Sequence, residues 1–583
     1  MPNLNLRLTL WLALGAILYY NYITWQQDYR PVPQLTAQGA SGAAGASSAL
    51  GNTVPKPAGA AVPAAVPPAT PPASTSGATG AAGTAGATGA SGAAGPLNAA
   101  AGEAPAGTVH VVTDVLDLTI SLRGGEIERA DLPTYPLHKN VPNVPVRLEN
   151  DEPGSLYLLQ TGLAGVDDQA APTHLAILSA AQSSYTLAAG ARVLRVPLTW
   201  TDGHGLTVTK TFVFTRGRYA VDLQYQVHNE SASPREVAAY GQILRHWEHA
   251  SRSYFDVETY SFKGPAVFDG TKSHDLKVEN ETDSKFSESI TNGWLASLQH
   301  HFVSAIVPAA NQPYHYQLRV EDHQYLMSAT GPFEQIAPGG SAEIGMKLFI
   351  GPKLQSQLAA TGPRLDLAAD YGLLTVIAHP LFMALSWVHG VTGNWGWSII
   401  IVTALIKLIF YPLSQASGRS MAKMRAVAPR MKQIQETFKD DREKLGRAMM
   451  ELYKREKINP LAGCLPMVVQ IPVFISFYWV LVESVEMRQA PFMLWINDLS
   501  VHDPYFVLPL LMGGAMFAQF KLNPAPPDPM QARIMQFMPL VMTFTMAWFP
   551  SGLVLYWLTN TVLSIVQQWR INQVVQAASK PRS

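Results

Sequence analysis

The sequence predicts a membrane α-helical protein of six transmembrane helices that carries a large exported all-β domain. Three observations lead there. Of 583 residues, 48% are hydrophobic and only 14% are charged, which is lean in charge for a soluble chain. The apolar excess is uneven: it collects at residues 8–25 and again after residue 371. Between these regions lies a long stretch of period-two alternation broken by turn residues, with no long helical periodicity. Lys+Arg and Asp+Glu both number 42, so the net charge is zero. Nothing draws the chain globally toward nucleic acid, and no direct DNA binding is expected. The single cysteine, Cys464, excludes an intrachain disulfide.

Residues 8–20, LTLWLALGAILYY, follow Arg7 in the layout of a secretory signal. The small residues that signal peptidase needs are missing; NYITWQQDY stands there instead. Tyr19, Tyr20, Tyr22 and Trp25 form an interfacial belt. Residues 1–25 are therefore expected to be an uncleaved anchor with its N-terminus in the cytoplasm. Residues 26–107 follow as an Ala/Gly/Pro-rich linker. From 31 to 107 the only charges are Lys56 and Glu103 and there is no aromatic, so nothing offsets the entropy of folding and a disordered tether is expected.

Residues 108–352 are expected to form one exported β-sandwich. VLDLTISL (115–122) alternates at period two, LTWTDGHGLTVTKTFVF (198–214) reads as two strands about a DG turn, and YAVDLQYQVHN (219–229) continues the pattern. Residues 353–392 hold an amphipathic segment, 371–390, with Pro380 and two His. It is expected to lie at the interface rather than span.

Residues 393–583 are expected to be a five-helix core, with spans at 395–415, 463–483, 504–521, 534–550 and 553–572. Loop charge orients them. Residues 418–460 hold 12 Lys/Arg against 6 Asp/Glu and are cytoplasmic, whereas 486–503 hold one basic and three acidic residues and are outside. Arg570, Lys580 and Arg582 put the C-terminus inside. The cytoplasmic segment 418–458 reads as a helical hairpin. Met424, Val427, Met431, Ile434 and Phe438 share one helical face; Leu445, Met449 and Leu452 share another. Pro429 should bend or restart the first helix, and Asp440 with Glu443 should cap the second. The basic outer faces suit anionic headgroups, RNA or an acidic partner, or are simply solvated.

The chemistry of the core is defined first by what it lacks. From residue 391 onward there is one histidine, His502, in an outside loop, and no carboxylate lies mid-span. Metal-assisted or triad hydrolysis cannot be assembled, and a proton-coupled transporter would carry a buried carboxylate. No metal and no cofactor are expected. What the core does carry is one cation, Lys407, in the apolar run WGWSIIIVTALIKLIFYPLS. Thr403 and Tyr411 stand at i−4 and i+4 from it. Tyr556, Asn560, Ser564 and Gln567 form a helical stripe on the last span, and Gln470, Ser476, Gln519, Thr543 and Thr545 add neutral polar groups. Facing inward, these groups line a wet cavity; facing one another, they supply interhelical hydrogen bonds. Lys407 can also snorkel toward the interface.

The stretches NWGWSIIIVTALIKLIFYPLS, SMAKMRAVAP, KINPLAGCLPMVVQIPVF, ESVEMRQAPFMLWINDLSVHDPYFVLPLLMG, DPMQARIMQFMPL and WFPSGLVLYWLTN resemble the YidC membrane protein insertases of Gram-negative bacteria. The match is continuous over 394–572. It implies a non-enzymatic insertase and folding chaperone of the bacterial inner membrane, with a supersandwich-like periplasmic domain. It further implies a hydrophilic groove, open to the cytoplasm and the lipid, with a basic residue in its first core helix. That position is Lys407, where the family usually has arginine; the charge survives but the bidentate fork does not. The expected groove residues are Lys407, Thr403, Tyr411, Gln470, Gln519, Tyr556, Trp557, Asn560 and Ser564. The implied partners are nascent membrane proteins, Sec translocon components and membrane lipids, with the ribosome and signal recognition particle pathway as a further possibility. Two rival readings remain: an intramembrane enzyme pairing a serine with Lys407, and a periplasmic sugar-binding or epimerase module using His246 and His249 of HWEH.

Overall fold

Alternation over residues 108–352 becomes two facing sheets, of 11 and 9 strands. The structure is a computed structural model that describes residues 50–55, 107–139, 141–166, 169–247, 261–369, 374–438, 441–456, 465–522 and 529–579. The expected anchor over 1–25, most of the expected linker, His249, Asp440 and Cys464 lie outside the described residues.

Each sheet buries one side of its strands against the other. Strand Ala220–Asn229 shows the rule: Val221, Leu223, Tyr225 and Val227 enter a single core while the residues between them face out. The predicted DG hairpin joins Val193–Thr201 to Leu206–Thr215 in antiparallel register. Asp202 closes its turn by accepting from the backbone N–H of His204 (2.7 Å) and Leu206 (2.9 Å). Gly203 and Gly205 take φ of +72° and +100°, conformations that a Cβ would strain. A short helix, α1 (Gln355–Thr361), leads out of the sandwich.

Helix α2 (Thr375–Thr392) runs through Pro380. It buries Ala378, Leu381, Phe382, Leu385 and Val388 and leaves Val376, Met383, Trp387 and Val391 exposed. Both faces are apolar, so the outer one is a surface suited to lipid, not water. The remaining helices are α3 (Trp395–Ile409), α4 (Tyr411–Thr437), α5 (Arg442–Arg455), α6 (Leu465–Glu483), α7 (Val507–Leu522), α8 (Pro529–Met546) and α9 (Ser551–Ser579).

Three details differ from expectation. The span expected over 395–415 is broken: α3 ends at Ile409, Phe410 leaves helical geometry (φ −87°, ψ 8°), and α4 restarts with Pro412 in its first turn. Proline lacks the N–H that would continue the first helix, so the chain turns there by 61°. Pro429, in contrast, does not end α4, which continues from the membrane region into the first arm of the hairpin. The second arm, α5, is capped by Asp441, whose carboxylate accepts from Lys444 N–H at 3.1 Å. The arms pack through Val427, Met431 and Leu452, with Met424, Ile434 and Met449 alongside. Among the described residues no single helix is long and apolar enough to cross a bilayer; only α3 with the first turns of α4 passes as a bent pair.

The outer loop between α6 and α7 is held from both sides. Asp503 is buried and accepts from Trp495 Nε1 (3.0 Å), Tyr505 N (3.0 Å) and Leu508 N (2.7 Å), the last capping α7. Leu499 and Val501 carbonyls accept from Gly552 and Ser551 N–H at the start of α9. The β domain sits on this loop. Arg488 donates to the carbonyls of Pro136 (2.9 Å) and Leu137 (3.0 Å), and Gln489 to Pro136 (3.1 Å). Lys139 reaches back to the Gln489 carbonyl at 2.9 Å. At the end of α6, Val482 O accepts from His300 Nε2 (2.8 Å) and Glu483 accepts from Ser261 (3.1 Å).

Candidate substrate groove

The break at Phe410 places Lys407 in the last turn of α3. Its side chain enters a small cleft, open to the surroundings, between α3, α4, α6 and α9. The lining is Thr403, Ile406, Lys407, Phe410, Leu413, Ser414, Val469, Gln470, Val473, Tyr556 and Asn560. No carboxylate is among them. Lys407 Nζ donates to Ser564 Oγ at 2.9 Å, and Ser564 Oγ donates in turn to the Asn560 carbonyl at 2.7 Å.

Of the nine expected groove residues, Lys407, Thr403, Gln470, Tyr556 and Asn560 line this cleft, and Ser564 touches it through the lysine. Tyr411 opens α4 after the break at Phe410 and is not among the lining residues. Gln519 is half-buried on α7, away from the lining, and Trp557 is half-buried with its ring edge-on to Phe474, centroids 4.7 Å apart. Tyr556 is buried beneath the same aromatic group, stacked on Phe477 at 4.4 Å. Ser414 was missed from sequence; the signal for it was Pro412, which re-phases the helix that carries it.

Several polar groups are absorbed locally. Thr403, Thr543 and Thr545 each donate to the carbonyl four residues earlier, at 2.6, 2.7 and 2.9 Å. Such hydroxyls add little free polarity to a cavity. Ser476 Oγ and Gln567 Nε2 are buried without a hydrogen-bond partner. Lys407 is thus the cleft's main polar resource, with Gln470 and Asn560 amides beside it.

The lysine–serine contact meets the rival enzyme reading directly. A serine nucleophile gives its proton to a neutral base. Here the lysine is the donor, and the serine proton points to a backbone carbonyl. For the second rival, His246 ends strand Arg235–His246 beside Trp247, with its ring 6.2 Å from His323, and lines a surface pocket with Arg147, Tyr157 and Arg245, while His249 lies outside the described residues. No group of three His, Cys, Asp or Glu that could hold a metal is present among the described residues.

Comparison with known proteins covers nearly the whole chain. The family model described as YidC periplasmic domain matches residues 108–384, and that described as 60Kd inner membrane protein matches 387–579. A membrane protein insertase YidC from Thioalkalivibrio sulfidiphilus is 44% identical over 586 residues, covering 99% of each chain. Another from Pseudomonas fluorescens is 46% identical over 495 residues, covering 82% of this chain and 87% of its own. A solved structure described as an active YidC insertase with its first transmembrane domain resolved is 17% identical, with a TM-score of 0.34. It covers 79% of this chain and 93% of its own.

Proposed function

This chain belongs to the YidC family of membrane protein insertases, and we propose that it receives nascent membrane proteins in the cleft around Lys407 and releases their apolar helices sideways into lipid. It is a non-enzymatic membrane protein with a periplasmic all-β domain and a helical C-terminal region. The observation that carries the mechanism is a cation in an open, mostly apolar cleft with no carboxylate in the lining.

Carrying a polar or acidic segment across about 30 Å of hydrocarbon is costly. A cleft with one cation and a few amides shortens the low-dielectric path. The charge of Lys407 attracts an acidic exported tail, and Ser564 holds the ammonium in place until that tail arrives. The counter-charge comes with the substrate. Apolar surfaces beside the cleft, including Leu408, Ile409 and Ile471, are exposed and offer a route outward. Burial of the substrate helix in lipid then drives release without ATP.

The topology we assign has six spans, with both termini cytoplasmic and the β domain periplasmic. Domain limits follow as 1–25 anchor, 26–107 linker, 108–352 β domain, 353–392 interfacial region and 393–583 core. The hairpin 418–458 faces arriving ribosomes with its basic sides. Longer polar segments are passed to the Sec translocon. Site-specific crosslinking from Thr403, Lys407 and Asn560 to a stalled nascent membrane protein tests the assignment. Adducts at all three are expected; adducts confined to the outer surfaces of the helices would refute the groove.

A further inference from the structure

Residues Leu50–Pro55 lie within the stretch whose composition marks it as a linker, yet they are seated on the β domain. The seat is the outer face of the 11-stranded sheet. On that face the register aligns two rows. Leu158, Leu244 and Leu326 stand side by side on three neighbouring strands, and Gln160, Gln242 and Ser328 stand side by side two residues along. Their in-facing neighbours Leu159, Ile243 and Met327 belong to the sandwich core, so these rows point away from it. A row of three leucines on an outer face needs a cover. Leu50 supplies it: it is buried and forms one apolar cluster with those three leucines.

Gln242 of the polar row, with His174 and Arg123 from outside it, reads the rest of the segment. Gln242 Nε2 donates to the Thr53 carbonyl (3.3 Å) and to Gln160 Oε1 (2.7 Å), and Gln160 Nε2 donates to Glu126 (2.7 Å). His174 Nε2 lies 2.9 Å from the Gly51 carbonyl, which can only accept. The His174 orientation is fixed from behind by Tyr240, 2.7 Å from Nδ1. Arg123 donates to the Asn52 side chain at 3.3 Å. Pro55 is buried at the far end and Asn52 is exposed in the middle. The segment thus has two apolar anchors, and two of its carbonyls are read by side chains that are themselves held by further partners. That is the anatomy of peptide recognition by pre-set side chains, without strand addition at a sheet edge.

We propose that this face is a peptide-recognition site whose resident ligand is the chain's own Leu50–Pro55. Its ligand class is a peptide that opens in a single 3-10 turn, closed by the Thr53 N–H donating to the Leu50 carbonyl at 3.0 Å, with a leucine and a proline about five residues apart joined by small or polar residues. A tethered ligand sits at an effective concentration on the order of mM, so a separate peptide of the same kind must displace it.

The test uses the full chain in detergent. Hydrogen exchange should be at least about tenfold slower at residues 51–54 than at 40–48. Leu50→Asp, and separately Gln242→Ala, should abolish that protection, while the equivalent linker changes Leu35→Asp and Leu97→Asp should not. A fluorescent peptide spanning residues 47–58, at about 1 mM or below, should bind the Leu50→Asp chain and not the unaltered one. Exchange at 51–54 as fast as in the flanks of the unaltered chain would overturn the proposal. So would peptide binding to both chains alike, or to neither.

Discussion

Lys407 Nζ donates to Ser564 Oγ across 2.9 Å, tying the last turn of α3 to the middle of α9. The lysine therefore does not simply snorkel. Lys407→Glu should cut insertion of substrates with acidic exported tails by about tenfold or more, because a like charge now faces the tail. Substrates with basic tails should be spared, and Lys407→Arg should retain activity. Reconstituted liposomes with paired substrates provide the measurement; equal loss for both tails would show a folding defect instead.

Ser564 is a holder, not a nucleophile. Ser564→Ala should lower insertion by no more than about threefold, since water can take over a hydrogen bond in an open cleft. Complete loss, together with labelling of Ser564 by a serine-reactive phosphonate, would restore the enzyme reading.

Gly396 is required by contact. A Cβ there would stand 2.0 Å from the Phe492 ring. Gly396→Ala should destabilise the core by about 1–3 kcal/mol through overpacking. Gly514, which has open space around its Cβ position, is the control and should tolerate alanine. Tryptophan-monitored thermal unfolding in detergent separates the two.

Asp503 accepts three hydrogen bonds from a buried position and organises the outer loop. Asp503→Ala should cost about 1–2 kcal/mol locally, as the loss of a helix cap does. Hydrogen exchange should rise over the loop between α6 and α7 and stay unchanged in the sandwich.

His300 links the β domain to α6 and gives the contact a pH dependence. Burial, with Lys353 and other cations nearby, lowers it from 6.5 to about 4. Burial likewise lowers His174 to about 4. The folded state therefore prefers the neutral rings. Their contribution is complete above pH 6.5 and disappears as pH falls toward 4. Glu126, Glu149 and Glu486, each raised to about 7 by burial, run the other way: the folded state gains as pH falls from 7 toward 4.5. The histidine effect must be read by difference. The stability gap between the unaltered chain and His300→Gln should shrink by about 2 kcal/mol between pH 7 and pH 4. A gap independent of pH would mean that the ring titrates alike in both states.

Much of this was legible in the sequence, and the exceptions have physical causes. Strands such as Ala220–Asn229 were readable because one face is buried, which enforces period two; strands buried on both faces, such as Tyr157–Gly165, carry no such alternation. The turn at Asp202 was readable from its side chain and glycines. Lys407 was conspicuous because its neighbours are apolar. The break at Phe410 was harder, since a proline need not end a helix: α2 runs through Pro380 and α4 through Pro429. His300, and the leucine row that seats Leu50, could not be found by local pattern. Each acquires its meaning from a partner more than 100 residues away.

The lengths of the helices carry a last consequence. On the topology proposed above, α7 would span with 16 residues and α6 with 19. At about 1.5 Å per residue, α7 is roughly 24 Å long, some 6 Å short of an average hydrocarbon core. Lipid beside it must compress to match, at a fraction of a kcal/mol per ångström. On that topology the acyl-chain length of the host membrane would act as a control on insertion: thicker bilayers would resist that compression and lengthen the path that a polar segment must cross.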